Sequence, residues 1–383
     1  LYRDAVLKVS YTGRTAGNAE VVYSLTDPAG RQVPLSQSIF VLKEDGNSNE
    51  LPVRNPLKWD AEHPNLYTLT VALREEGEEI SRFSQQIGFR DVKIVKDRML
   101  VNGLPVKLRG ACRHDIHPTL GRTTTAELDS LDALRFKQSN MNFVRTSHYP
   151  PSERFLHFCD RFGIYVESET AVCFVDTYRQ KNYAPGRTQD SAEFAPRYLS
   201  QCREMVKAFR SHPSVLFWSI GNESVYGKNF QDCWDWVKAT DTTRPVIFSY
   251  PGSVGEKKPI YDILSMHYQD VDGNLNQWGR ATRNYQGHGI PACSMNGRTR
   301  LAIPIRLCRM IRTSVSSGES LSIRCGAACL MLPEVWAVRF GDISTRRSCC
   351  PNRRWVLLSG KNLPVQPSRK ISRATVSVTV NGE

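Results

Sequence analysis

Val215-Leu-Phe-Trp-Ser-Ile-Gly-Asn-Glu-Ser224 is an apolar run that stops abruptly at a Gly-Asn-Glu turn. A buried strand that delivers a carboxylate at its C-terminal end is how an eight-stranded parallel barrel builds an active site, which makes Glu223 the first candidate for chemistry. The amide of Asn222 beside it can hold a substrate hydroxyl. The apolar run behind it limits hydration, which raises a carboxyl pKa toward that of a general acid. Taken alone, the ten residues fit equally well a strand end capped by polar turn residues. Other strand-like runs end in the same way: in Arg109, Arg113, His114 and Asp115; in Arg145, His148 and Tyr149; in Glu167 and Glu169; in His267 and Tyr268. A lone histidine is more often structural than catalytic, but successive strands ending in polar groups predict a ring of donors and carboxylates. With Trp218 and tyrosines nearby, such a ring suits a polyhydroxylated substrate.

The elements that must hold this ring follow from periodicity. Residues 1–92 show short alternating runs, such as Glu20-Val-Val-Tyr-Ser-Leu and Leu66-Tyr-Thr-Leu-Thr-Val-Ala-Leu, separated by turn signals such as Asp27-Pro-Ala-Gly and Asp45-Gly. That pattern predicts an antiparallel β-sandwich. From Asp97 onward strands alternate with helices. Val106-Lys-Leu-Arg-Gly precedes a helix over Thr125 to Leu134, with Thr125 as N-cap and Leu128, Leu131 and Leu134 on one face. Next come a strand at 142–148, a helix over 152–162, a strand at Ile164, a helix near 192–211 and the strand 215–220. A helix over 229–240 and strands at Pro245, Ile263 and Gly289 complete the series. Roughly seven βα units are the rhythm of a parallel barrel.

The chain of 383 residues carries a formal charge of +13, but the charge is not spread evenly. Residues 292–383 hold 15 Lys/Arg against 4 Asp/Glu and 6 of the 11 Cys, so the preceding residues are nearly neutral. The cysteines of this tail lack metal-site spacing, and its basic runs lack the interleaved aromatics of a nucleic-acid surface. Neither a nucleic-acid partner nor a membrane span is expected. The chain begins at Leu1, which leaves any leader unread and the compartment open.

Arg109-Gly-Ala-Cys-Arg-His-Asp-Ile-His-Pro118, Asn142-Phe-Val-Arg-Thr-Ser-His-Tyr-Pro150, Cys159-Asp-Arg-Phe-Gly-Ile-Tyr-Val166 and Phe217-Trp-Ser-Ile-Gly-Asn-Glu-Ser224 resemble, in order and spacing, the catalytic barrel of glycoside hydrolase family 2, particularly its β-galactosidases. The resemblance implies an immunoglobulin-like β-sandwich over 1–92 followed by an incomplete (β/α)8 TIM barrel over 93–291, with the family's N-terminal jelly-roll missing. It implies hydrolysis of terminal β-D-galactosides with retention, β-glucuronidase and β-mannosidase activity being the alternatives within the family. Glu223 would be the acid/base, and Asn222, His114, His148 and Tyr268 would lie near the sugar, with Arg109 and Asp115 added as substrate-binding candidates from the strand ends. Some relatives bind magnesium after the third strand through an acidic residue and a histidine. Here that stretch reads Ala171-Val-Cys-Phe, so no metal or other cofactor is expected. Cys112 stands where the family usually has Asn.

A retaining glycosidase needs a second carboxylate as nucleophile, which in this family follows the seventh strand. The chain reads Ile290-Pro-Ala-Cys-Ser-Met-Asn-Gly-Arg-Thr-Arg300 there, and no carboxylate appears until Glu319. Codon arithmetic explains the gap. Reading from the third base of each codon, Met295 followed by Asn296 forces a glutamate, and the neighbouring junctions permit Phe-Asp-Glu-Trp-Ala-His, the family's nucleophile motif. The same register permits family-like segments over about 317–331 and 334–351. A single-nucleotide loss near Ala292 would leave 292–383 as a frameshifted, non-native tail, lacking the authentic end of the seventh strand and all of the eighth. The literal chain is then expected to be inactive, a remnant that binds carbohydrate weakly or fails to fold.

Overall fold

The computed structural model describes residues 3–11, 19–42, 47–176, 188–248, 260–267 and 291–296, together with three short strands at 301–302, 322–323 and 375–379. The N-terminal part is a two-sheet sandwich. β1 (Ala5–Tyr11) pairs antiparallel with β5 (Asn47–Val53). In the facing sheet β2 (Ala19–Thr26) pairs with β3 (Gln32–Val33), β4 (Ile39–Val41) and β6 (Tyr67–Glu75), and β6 pairs with β7 (Glu78–Ile87). Alternate residues of β2 point inward, so Val21, Tyr23 and Leu25 meet Leu7, Val9, Leu51 and Leu69 in one core. The free edge of β1 is covered by Thr375–Thr379, paired antiparallel from Val6↔Thr379 to Ser10↔Thr375. Residues 375–379, within the tail read from the sequence as non-native, thus form a regular strand along the β1 edge.

A small antiparallel sheet of β8 (Val92–Val95), β9 (Arg98–Val101) and β10 (Leu104–Pro105) leads into the second part. There β11 (Gly110–Arg113), β12 (Phe143–Thr146), β13 (Tyr165–Glu169), β14 (Val215–Ser219), β15 (Val246–Phe248), β16 (Ile263–His267) and β17 (Ala292–Asn296) form one parallel sheet in sequence order. The helices between them are α1 (Ala126–Gln138), α2 (Glu153–Phe162), α3 (Ala195–Phe209) and α4 (Lys228–Thr240). The immunoglobulin-like sandwich is thus followed, among the described residues, by a curled parallel sheet of seven strands, a partial TIM barrel. Among the described residues β11 pairs only with β12 and β17 only with β16.

Every residue of β12, β13 and β14 is buried, as expected of strands covered on both faces. Val144, Val166 and Trp218 pack outward against Phe155, Leu156, Met205, Val206, Phe230 and Trp234 of the helices. Phe143, Tyr165, Phe217, Ile247 and Ile263 form a second cluster with Trp59, Met99 and Val101. Side-chain caps start two helices: Thr125 Oγ1 accepts from the Leu128 amide (3.3 Å) and Ser152 Oγ from the Phe155 amide (3.1 Å). Gly163 ends α2 with φ 71°, where a Cβ would lie 2.2 Å from the Ala61 carbonyl oxygen.

Two expectations are displaced. On α1 it is Asp129 and Ala133 that are buried, whereas Leu131 and Leu134 are exposed, because the inward face of this helix serves Arg113 with carboxylates. The first barrel strand begins at Gly110 rather than Val106, since Val106 and Leu108 pack into the Trp59–Met99 cluster beneath the sheet. The seventh strand is described over Ala292–Asn296, with Leu264↔Ala292 as its first paired position, and the expected start at Gly289 lies outside the described residues. None of the helices described is long and apolar enough to cross a membrane.

Candidate active site

Glu223 lies in the turn that follows β14, with its side chain buried. Its backbone is left-handed, φ 38°, a conformation that costs a residue of this size about 1–3 kcal/mol and persists only where its surroundings enforce it. The enforcing contacts come from the segment after β13. The Asn222 amide donates to the Val172 carbonyl (2.9 Å), and the Asn222 carbonyl accepts from the Phe174 amide (3.0 Å). Ser224 Oγ accepts from the Val175 amide (3.1 Å) and donates to the Asn222 carbonyl (2.8 Å). Gly221 is demanded by space, because a Cβ there would sit 2.8 Å from the Phe230 ring.

His267, the last residue of β16, brings Nδ1 to 3.6 Å from Glu223 Oε1. Burial holds its imidazole pKa below the usual value, with Glu223 opposing the shift. A buried carboxyl and a buried imidazole thus share one spot at the C-terminal side of the sheet, where one can give or take a proton and the other can orient it.

Arg145 on β12 is the hub of the neighbouring network. Its Nε donates to Glu167 Oε1 (3.1 Å), and one terminal nitrogen donates to both Glu169 Oε2 and Asn222 Oδ1, the latter at 2.9 Å. Glu169 also accepts from Ser219 Oγ (2.8 Å), and its other oxygen lies 2.7 Å from His148 Nδ1. Although burial opposes its charge, Glu169 is held low by Arg145, His148 and Ser219. Glu167 goes the other way: burial, against the pull of Arg145, pushes it up to about 8, and its Oε2 is buried with no hydrogen-bond partner among the described residues. One guanidinium serves two carboxylates, and only one keeps its charge.

The remaining candidates fall into place around this network. His148, whose peptide bond to Ser147 is cis, meets His114 edge to face at 5.3 Å between ring centroids. Burial, and then His148 and Arg145, push the His114 pKa down to about 4, so its imidazole is neutral near pH 7. His114, His148, Asn222 and Glu223 therefore gather on one side. Asp115 follows on the same rim but is bound by Arg113, which also donates to Asp129 and Asp132 (2.9 Å each). Burial raises the Asp115 carboxyl and Arg113 opposes the shift. Arg109 does not belong to the site. It precedes β11, so it lies at the N-terminal end of the sheet, exposed, with its carbonyl accepting from the Asn142 and Phe143 amides. Placing the strand at 106–110 had put Arg109 at the wrong end of it. Tyr268 lies outside the described residues. The site list from the sequence omitted Cys173 and Ser219, which hold Asn222 and Glu169; only their positions after β13 and at the end of β14 signal them.

The stretch Ala171–Phe174 does not fit magnesium. Its only heteroatom side chain is the Cys173 thiol, which accepts from Asn222 Nδ2 at 3.1 Å and is pushed up to about 12 by burial, whereas magnesium takes oxygen ligands.

Comparison with known proteins agrees with this architecture. The family model for the TIM barrel domain of glycosyl hydrolases family 2 matches residues 92–296, and that for glycosyl hydrolases family 2 matches residues 3–90. A β-galactosidase of Vibrio vulnificus is 37% identical over 223 residues, 58% of this chain and 21% of that protein. One from Pectobacterium atrosepticum is 37% identical over 229 residues, 60% of this chain and again 21% of the relative. The chain thus spans about a fifth of the length of the curated relatives it matches. Among solved structures, a glycosyl hydrolase family 2 member from Bacteroides cellulosilyticus superposes with a TM-score of 0.58 at 25% identity, covering 70% of this chain and 36% of that one. A Parabacteroides merdae β-glucuronidase superposes with a TM-score of 0.60 at 21% identity, covering 70% and 35%. With one family model spanning the barrel and another the sandwich, the chain belongs to glycosyl hydrolase family 2.

Proposed function

We propose that this chain derives from a retaining glycosidase that cleaves terminal β-D-galactosides, with Glu223 as its acid/base, and that as written it has lost turnover. The observation that carries the reading is Glu223 itself, a buried carboxyl in an enforced left-handed turn at the C-terminal end of a barrel strand, 3.6 Å from His267. The galactoside preference rests on the relatives at 37% identity, which are β-galactosidases. The likeness to a β-glucuronidase at 21% identity supports the shared fold only.

Glu223 protonates the leaving oxygen and then activates water, Asn222 holds a sugar hydroxyl, and His114 and His148 line the approach. Retention also needs a carboxylate roughly 5 Å from the acid, acting as nucleophile. Glu167 and Glu169 do not take that role, because both are bound to Arg145. The codon pair of Met295 and Asn296, which conceals a glutamate in the shifted frame, falls at the C-terminal end of β17, where Asn296 is in register with His267. That position beside the acid/base supports a nucleotide loss near Ala292. Residues 292–383 are read accordingly as the product of a shifted frame, and the literal chain as a remnant that retains a carbohydrate-shaped mouth without its nucleophile.

The test compares the literal chain, a chain with one nucleotide restored near codon 292, and restored chains carrying Glu223→Gln or Gln in place of the recovered glutamate, on aryl β-galactosides, β-glucuronides and β-mannosides. The literal chain is expected to show no turnover and the restored chain to favour β-galactosides. Removing the nucleophile should cost several orders of magnitude. Glu223→Gln should slow substrates with poor leaving groups by about 10²–10⁴ while an activated aryl glycoside still forms the glycosyl-enzyme. Robust turnover by the literal chain, or equal loss on both leaving-group classes, would refute these assignments.

A further inference from the structure

A second cluster with the chemistry of a ligand site lies outside the sheet. Glu153 and His157 stand one helical turn apart on α2, and His212 occupies the turn between α3 and β14, packed against that helix with ring centroids of His157 and His212 4.9 Å apart. We propose that Glu153, His157 and His212 bind a zinc-like divalent ion that ties α2 to the α3–β14 turn.

Three observations carry the assignment. One ligand atom from each residue can be chosen so that all lie within 4.8 Å of one another, with His157 Nε2 3.9 Å from Glu153 Oε1. Zinc bonds of about 2.0–2.1 Å in a tetrahedral shell place donors roughly 3.3–3.5 Å apart, so small rotations of two exposed side chains close the set. Secondly, His212 is 2% exposed and its Nε2 has no hydrogen-bond partner among the described residues. Leaving a buried acceptor bare costs about 1–3 kcal/mol, which a bound cation would offset. Thirdly, the other His212 nitrogen is already committed, since Nδ1 lies 2.5 Å from Asp160 Oδ2, while Asp160 Oδ1 accepts from the Ser214 amide at 2.9 Å. A carboxylate on Nδ1 fixes the tautomer that leaves Nε2 with its lone pair, the second-shell arrangement found behind metal-ligating histidines.

The donor set selects the ion. Two imidazoles and a carboxylate suit zinc, whereas magnesium and calcium prefer oxygen shells. Side-chain exposures of 62% for Glu153 and 50% for His157 leave the fourth position open to water. The site is independent of the glycosidase reading: His212 precedes β14 and Glu223 follows it, so the five residues of that strand separate them, roughly 16 Å at about 3.3 Å per residue. An ion bound only by the folded chain adds to its stability, which makes the expected role a clamp on the barrel's outer face.

The experiment uses the full chain, stripped of metal, titrated with ZnCl2 by calorimetry and with CoCl2 by visible absorption. One equivalent should bind, cobalt should give the absorption of a tetrahedral nitrogen and oxygen site without a thiolate charge-transfer band, and zinc should raise the thermal midpoint. His157→Gln and Glu153→Gln change exposed side chains and leave the core intact; each should weaken zinc binding by about tenfold or more. Absence of one-equivalent binding, a thiolate band at saturation, or wild-type affinity in both variants would overturn the proposal.

Discussion

At the scale of single residues, Arg145 decides how charge is shared in the site. Glu169 keeps its negative charge because Arg145, His148 and Ser219 all converge on it, while Glu167, fully buried beside it, is raised to about 8. A raised carboxyl pKa makes stability fall with rising pH. Between about 4.3, the value of an unfolded Glu, and about 8 the native state holds a proton that the unfolded chain has released, so the unfolded state gains relative to it. Glu167→Gln keeps the size of the neutral form and removes that dependence. Denaturant melts of both proteins should therefore diverge in favour of the variant from pH 5 to 8, by up to about 1.4 kcal/mol for each pH unit crossed; parallel curves would show that Glu167 is charged throughout. Glu223, Asn222, His114 and His148 were legible in the sequence because each follows a recognisable strand. What was not legible is who partners whom. Arg145 claims Glu167 and Glu169 through contacts between strands that spacing along one strand does not encode, and Arg113 claims Asp115 two residues further along the chain. The pairing of His212 with Asp160, 52 residues apart, is hidden for the same reason.

Elements were legible where local chemistry punctuates them. Thr125, Ser152 and Gly163 mark helix ends by capping, and the apolar run Val215–Trp218 of β14 reads as a strand covered on both faces. They were misread where packing overrides periodicity. On α1 the leucines at three-residue spacing look like a core face, yet buried Asp129 answers Arg113 and leaves Leu131 and Leu134 in solvent. On β11 a four-residue displacement of the strand exchanged the two ends of the sheet for Arg109. The turn after β14 shows how tightly an element can constrain a site. Gly221→Ala would drive a methyl group to 2.8 Å from the Phe230 ring and 3.3 Å from the Val172 carbonyl, and both are parts of the clamp that enforces the Glu223 conformation. Overpacking of this kind costs about 1–3 kcal/mol. In a frame-restored enzyme the substitution should also lower kcat by more than it changes KM, because it moves the acid and not the sugar's other contacts. A variant with wild-type kcat would mean that the turn tolerates the methyl group and that Phe230 yields.

At the scale of the whole molecule, the sandwich and the barrel are joined by buried polar contacts as well as by a linker. Trp59 Nε1 donates to the Asp160 carbonyl (2.9 Å), the Ala61 amide donates to Tyr165 Oη (3.3 Å), and Lys137 reaches back to the Ala61 carbonyl (2.5 Å). Between β7 and β8, Arg90 is buried and donates to the carbonyls of Pro213 and Val215 just before and within β14. Burial and the nearby Arg244 lower its pKa, a cost tolerated because the guanidinium satisfies two carbonyls at the foot of the strand that leads to Glu223. The family resemblance revealed both parts of this arrangement, but not the seam between them, whose side-chain donors Trp59, Arg90 and Lys137 lie outside the motifs that carry it. The consequence is a test of cooperativity. Arg90→Met keeps an unbranched apolar stem but removes the donors; Val215 O retains Arg244 Nε at 2.8 Å, so the Pro213 carbonyl is the group left stranded, at about 1–3 kcal/mol. For a chain of this size, with an unfolding entropy of about 2.1 cal/mol/K per residue, that corresponds to a fall in the thermal midpoint of roughly 1–2 °C per kcal/mol. If the seam couples the two parts, amide exchange should quicken in β6 of the sandwich as well as in β14. All four described helices lie on the barrel side, so loss of helical circular dichroism should coincide with loss of protection in β6. Quickened exchange confined to β14, with β6 unchanged, would show that the sandwich stands without the barrel and that Arg90 serves the catalytic strand alone.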